Sequence, residues 1–86
     1  MYYVYVIQNL ESKAIYIGYT NNLKRRLFGH NNNKSFSTKN RGAWKLIYYE
    51  AYNSRFDAKQ REDRLKYYGR ALAQLKRRIS KSLLKA

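Results

Sequence analysis

Polar and apolar positions alternate with period two from Tyr2 to Gln8, with Tyr3 and Tyr5 on one face and Val4 and Val6 on the other. That pattern predicts a strand. Asn9 to Lys13 reads as a polar turn, and Ala14 to Gly18 alternates again, with Ile15 and Ile17 opposite Tyr16. The two runs form an expected antiparallel hairpin, and turning its aliphatic side chains to a core leaves Tyr5 and Tyr16 together on the opposite face. Thr20-Asn-Asn22 offers helix-capping chemistry ahead of a short helix from Leu23 to about His30, which Gly29 and Asn31-Asn-Asn33 should end. A polar, basic loop over 31–43 leads to a third strand, Ala43 to Ala51. Ser54 followed by Asp57 three positions on starts a second helix from Arg55 to Tyr68, with Gly69 as its stop. From Arg70, Leu72, Leu75, Ile79 and Leu83 mark the apolar stripe of a third helix, and Arg77, Arg78, Lys81 and Lys85 occupy its other face.

Composition narrows the classes. The chain has 86 residues, and a chain this short buries only roughly 60–65% of its unfolded surface, so one domain over 1–86 is expected. It contains no cysteine, which excludes disulfides, thiolate zinc sites and a Cys nucleophile, and fits a reducing compartment. The start lacks a secretory pattern and no apolar run approaches a membrane span, so a cytoplasmic location and no membrane partner are expected. The net charge of +14 is uneven. Residues 1–23 are neutral overall, whereas 24–52 carry seven bases against one acid and 53–86 carry eleven against three. So much positive charge on so small a surface points to a polyanion, most commonly nucleic acid.

Some positions break the amphipathic pattern. Leu23, Leu27 and His30 share one sector of the first helix, with Arg26 beside them, and an unpaired charge facing a core is costly. On the second helix, Glu62 lies on the side of Ala58 and Leu65, and Asp63 falls outside it. Alternatives stay open for both: His30 as a satisfied helix-terminal side chain, and Glu62 as a salt-bridge partner of Arg26 or Arg61. With five acids in the chain, a two-metal carboxylate site is not expected, and one divalent ion on one Glu is the most the sequence supports. No Gly-rich phosphate loop, zinc pair or Ser-His-Asp set is present. Tyr48, Tyr49, Tyr67 and Tyr68 are assigned to packing.

Tyr3-Val-Tyr5, Tyr16-Ile-Gly18, Thr20-Asn-Asn-Leu-Lys-Arg-Arg-Leu27, His30, Trp44-Lys-Leu-Ile-Tyr-Tyr-Glu50 and Ala58-Lys-Gln-Arg-Glu62-Asp-Arg-Leu-Lys66 follow one another in order. Together they resemble the GIY-YIG endonuclease superfamily, above all its small stand-alone members related to the nuclease domain of excinuclease. Tyr3-Val4 stands where the first motif has Gly-Ile, and an Asn that members carry near the C-terminus has no clear equivalent. The resemblance implies an α/β (α+β) fold, a three-stranded antiparallel sheet flanked by helices. It implies a divalent-metal-dependent endonuclease cutting DNA in preference to RNA, in repair or recombination, with a targeting protein or a second copy as further partner. Tyr5 and Tyr16 would activate and orient water, Arg26 would stabilise charge on phosphate, His30 would assist a Tyr, and Glu62 would hold Mg²⁺ or Mn²⁺. Tyr19 stands where the excinuclease domain has a phosphate-contacting Lys. A Tyr base needs its pKa lowered, for which Arg26, His30 and Lys24 supply charge, so activity should rise on the alkaline side of neutrality. The rival expectation is a catalytically inactive DNA- or RNA-binding module, with Lys24, Arg25, Lys76, Arg77, Arg78 and Lys81 on phosphates and Tyr19, Phe28 or Trp44 stacking on bases.

Overall fold

The computed structural model describes residues 1–32, 38, 39 and 41–85. Strand β1 (Tyr2–Asn9) pairs antiparallel with β2 (Ile15–Thr20) on one side and β3 (Trp44–Tyr52) on the other, giving the order β2-β1-β3. The helices are α1 (Leu23–Asn31), α2 (Arg55–Tyr67) and α3 (Gly69–Arg78). The three-stranded antiparallel sheet with flanking helices is the expected α+β fold.

The hairpin turn is organised by the buried Asn9, whose Oδ1 accepts from the backbone N–H of Glu11 and of Ser12, both at 2.9 Å. Lys13 closes it at φ 64°, a left-handed conformation that local hydrogen bonding must support. β1 is the central strand, and Val4 through Asn9 are all buried because both faces of the sheet are covered. On one face Val4, Val6 and Ile17 pack with Ala58, Leu65 and Leu75 of α2 and α3. On the other, Tyr5, Ile7 and Trp44 pack with Tyr16 and with Leu23 and Leu27 of α1. The period-two pattern therefore sorts two cores, aliphatic beneath α2 and α3 and aromatic beneath α1. The β1–β3 register shifts between Val6 and Ile7.

Both anticipated N-caps are present. Asn22 Oδ1 accepts from Arg25 N at 3.0 Å, and Ser54 Oγ accepts from Asp57 N at 3.4 Å. Several expectations are corrected. α1 continues through Gly29 and His30 to Asn31. α2 ends through an extended Tyr68 (φ −119°, ψ 99°), and Gly69 opens α3 instead of terminating α2. α3 stops at Arg78, so Lys81 and Leu83 lie beyond it in a segment that folds back onto the sheet. There the buried Gln8 side chain donates to Leu84 O at 3.4 Å and accepts from Leu84 N at 2.8 Å. Tyr49, Tyr67 and Tyr68 are exposed, not core. Part of the expected 31–43 loop lies outside the described residues. Among those described, no helix is long and apolar enough to cross a membrane.

Candidate active site

Gly18 is where the site begins. It pairs with Tyr5 across β1–β2, and a Cβ built on it would meet Tyr5 Cζ and Oη at 2.3 Å. Only glycine lets the ring lie across β2, one of the two edge strands, and carry its hydroxyl toward the sheet edge. The Tyr5 oxygen stands 2.7 Å from Nε2 of His30, and Nδ1 of His30 stands 2.7 Å from Oγ1 of the buried Thr38. Tyr16 closes the group, its ring centroid 6.5 Å from Tyr5 and 5.0 Å from His30, and it meets Trp44 edge-on at 6.4 Å.

The electrostatics fix the proton positions. Burial raises the Tyr5 pKa, a hydrogen bond and charge from Arg26 oppose it, and Tyr16 and Glu62 raise it further, leaving it at about 12. Burial, then the Arg26 charge, lowers His30 below its ordinary value. At neutral pH Tyr5 keeps its proton and the imidazole is neutral. We assign the Nδ1–H tautomer, in which Nε2 accepts from the Tyr5 hydroxyl and Nδ1–H donates to Thr38. This corrects the expectation that neighbouring cations depress the tyrosine: for Tyr5, desolvation outweighs Arg26. A second correction concerns Arg26 itself, which is exposed and not core-facing. Its charge still acts on both Tyr5 and His30, so it stands over the pair on the solvent side.

Glu62 enters from α2, buried between Ala58 and Leu65 and near enough for its charge to act on Tyr5. It does not pair with Arg26 or Arg61. Oε1 takes the Lys59 ammonium at 3.0 Å and Oε2 that of Lys66 at 2.9 Å. Burial alone would raise its pKa, but hydrogen bonds from Lys66 and Lys59 and their charges prevail and lower it, so Glu62 is ionised. Arg61 instead holds Glu50, through Nε and Nη2, and Glu50 also accepts from the hydroxyls of Tyr48 and Tyr52. Tyr5, Tyr16 and His30 are thus in direct contact, the Arg26 charge acts on Tyr5 and His30, and Glu62, on the helix that covers the other face of the sheet, reaches Tyr5 by its charge.

The proposed phosphate-binding residues do not form one surface. Lys24 and Arg25 are exposed on α1, covering one face of the sheet, and Lys76, Arg77 and Arg78 are exposed at the end of α3, which covers the other. Lys81 follows in the chain beyond that helix. Tyr19 stacks at 6.4 Å on Tyr2 and carries the Lys59 ammonium 4.9 Å from its ring centroid. Trp44 is buried and cannot stack on a base, whereas Phe28 is exposed. Sequence reasoning missed Thr38, Lys59 and Lys66. For the lysines a signal existed: three and four residues from Glu62, they share its helical stripe.

The GIY-YIG catalytic-domain profile matches residues 1–71, so the chain belongs to the GIY-YIG family. It is 38% identical over 63 residues to a UPF0213 protein of Clostridium perfringens, covering 72% of this chain and 67% of that protein. A UPF0213 protein of Oceanobacillus iheyensis is 35% identical over 66 residues, 76% of each chain. The solution NMR structure of a UPF0213 protein from Bacillus halodurans superposes with TM-score 0.53 at 29% identity, covering 88% of this chain and 86% of that one. The family is one of endonucleases, so the coarse class is a nuclease domain whose substrate is nucleic acid.

Nucleases of this family typically use a divalent metal. Among the described residues no three His, Cys, Asp or Glu side chains cluster as ligands. Mg²⁺ is commonly held by only one or two carboxylates, with waters and substrate phosphate completing its shell. A lone, ionised, buried Glu62 fits that role once its two lysines yield.

Proposed function

We propose that residues 1–86 act as one metal-dependent endonuclease domain that hydrolyses phosphodiester bonds in DNA. The observation that carries this reading is the Tyr5–His30–Thr38 hydrogen-bonded chain beneath the Arg26 charge. Water attacks phosphorus, the bond to the leaving sugar oxygen breaks, and that oxygen takes a proton from solvent while His30 later returns its own to solvent. As it attacks, water passes a proton to the Tyr5 oxygen while the Tyr5 proton moves to His30 Nε2. His30 becomes an imidazolium, which its hydrogen bond to Thr38 keeps in place. Tyr5 therefore never needs to exist as a free phenolate, which its pKa of about 12 makes rare at neutral pH. Arg26, on the open side, donates to the non-bridging oxygens as negative charge grows on them. Tyr16 orients the water. Glu62 would hold Mg²⁺ or Mn²⁺, which supplies charge neutralisation at the phosphate and the leaving oxygen. Lys24 and Arg25 on the α1 side and, as a separate patch, Lys76, Arg77, Arg78 and Lys81 on the α3 side attract nucleic-acid backbone without regard to sequence, and Tyr19 lines the approach.

One observation favours the rival reading of an inactive binding module: both Glu62 oxygens already hold ammonium groups. Incubating the protein with linear, flapped, forked and single-stranded DNA and RNA, in Mg²⁺, Mn²⁺ or EDTA, separates the two. Cleavage of DNA is expected with metal, and none in EDTA or with Glu62→Ala. Binding without cleavage of any substrate would establish the inactive module, and cleavage persisting in EDTA would remove the metal from the reaction.

A further inference from the structure

Lys59, Glu62 and Lys66 lie on one stripe of α2, and each carboxylate oxygen of Glu62 holds its own ammonium group, at 3.0 and 2.9 Å. The three side chains differ in freedom. That of Glu62 is 8% exposed, while those of Lys59 and Lys66 are 48% and 33% exposed. The acid lies on the buried stripe of α2 with Ala58 and Leu65, and the bases reach it from water on flexible stems. In the same position the Lys59 Nζ also lies 4.9 Å from the Tyr19 ring centroid, so the ring faces the ammonium while it holds Glu62. Lys66 is near enough to Tyr16 for their charges to interact. The trio carries a formal +1. A divalent cation approaching Glu62 therefore meets net repulsion and finds both oxygens engaged. Phosphates reverse this balance, because they offer the lysines new anionic partners and leave the carboxylate bare.

We propose that Lys59 and Lys66 form a displaceable clamp that keeps divalent metal off Glu62 until nucleic-acid phosphates draw the two ammonium groups away. The inference rests on the metal-binding role given to Glu62 above. It makes metal binding and nucleic-acid binding mutually reinforcing, by the same factor in each direction. It also makes Lys59 and Lys66 positioning residues that control when the site is charged with metal.

The test is Mn²⁺ titration of the full chain, followed by the electron paramagnetic resonance signal of free Mn²⁺. Lys59→Met/Lys66→Met is expected to bind Mn²⁺ at least ~10-fold tighter than wild type without nucleic acid. Adding Glu62→Gln should erase that gain. Lys45→Met/Lys85→Met, which removes two exposed charges elsewhere, should show no gain. With a nuclease-resistant phosphorothioate duplex, and the Glu62→Gln complex as baseline for metal held by the DNA, wild type should gain about 10-fold in Mn²⁺ affinity and the double lysine variant much less. If the double variant does not fold, Lys59→Met alone should still tighten Mn²⁺ by about 3-fold, one charge contributing about half of the paired effect in free energy. Unchanged affinity in the lysine variants, an equal gain in the Lys45/Lys85 pair, or equal coupling to DNA with and without the clamp would overturn the proposal. A failed clamp beside Glu62-dependent cleavage by wild type leaves the nuclease reading intact. A working clamp without cleavage overturns the nuclease reading alone.

Discussion

Glu50 and Glu62 are both largely withdrawn from water, both paired with bases, and both held below the ordinary carboxylate pKa, yet they are built for opposite ends. Around Glu50 the donors are rigid: the Arg61 guanidinium through Nε and Nη2, and two phenol hydroxyls from Tyr48 and Tyr52 on its own strand. Burial followed by the Glu50 hydrogen bond pushes each of these tyrosines up to about 12, so the cluster keeps its protons across the physiological range. Around Glu62 the donors are two lysines that water can reach. A planar, preorganised guanidinium loses little freedom in binding a carboxylate, whereas an ammonium on a four-carbon stem is readily exchanged. The first acid locks β3 to α2, and the second is the one we propose to exchange its lysines for metal.

The largest effect should come from the open side of the active cluster. Arg26→Ala is expected to lower single-turnover cleavage by about 10³-fold while changing the melting temperature little, because the side chain is exposed and acts on developing charge. Retention of cleavage within a few-fold of wild type would remove Arg26 from the chemistry. Next is Gly18→Ala, whose new methyl group must displace the Tyr5 ring from 2.3 Å. It should cost about 1–3 kcal/mol in denaturant unfolding and about 10²-fold in rate, since Tyr5 then loses its alignment with His30. An unchanged rate would mean that the Tyr5–His30 hydrogen bond is dispensable.

Smaller effects sharpen the contrast. Tyr48→Phe and Tyr52→Phe should each cost ~1.5 kcal/mol, the size of a hydrogen bond to a charged group, and leave cleavage intact. Equal losses of activity would blur the division between the two clusters. On stability His30 gives the smallest signal, but the most specific one. Its pKa is lowered in the folded protein, so the unfolded chain binds more protons as pH falls below about 6.5. Its contribution to stability is complete above that value and declines as pH drops toward the folded pKa. The carboxylates Glu50 and Glu62, also lowered, lose theirs only in the more acidic carboxylate range. His30→Gln should therefore flatten the melting temperature between pH 5 and about 6.5. It should also lower the rate at least as far as Gly18→Ala does, and abolish the acid limb of the rate profile, which in wild type levels off above the His30 pKa and does not climb toward that of Tyr5.

Much of the fold was legible because its signals are local. Alternation in β1 and β2 sorted Tyr5 and Tyr16 from Val4, Val6 and Ile17, and the side-chain oxygens of Asn22 and Ser54 marked helix starts. The same local rules failed at Gly69, where the break is made by the extended Tyr68, and past Arg78, where Gln8 of a distant strand captures the backbone of Leu84. Of the candidate site, the spacing of Arg26 and His30 on one helix and the inward placement of Glu62 could be read from periodicity. Periodicity does not name the partners of Glu62: Lys59 and Lys66 stand three and four residues away on its own stripe, while Glu50 of β3 holds Arg61. Thr38 comes from a segment with no periodicity at all. Its role exists only once β3 and α1 are packed.

The difference between the two acids is tested most directly by measuring, on Glu62→Gln and Glu50→Gln side by side, the single-turnover rate of metal-dependent DNA cleavage and the midpoint of thermal unfolding. Glu62→Gln should lose at least ~10²-fold in rate and less than about 1 kcal/mol in stability, since its lysines turn to water. Glu50→Gln should lose about 2–3 kcal/mol, some 10–20 °C in midpoint for a chain of this length, and keep its rate below that midpoint. Full activity in Glu62→Gln, or an inactive but fully stable Glu50→Gln, would contradict the account.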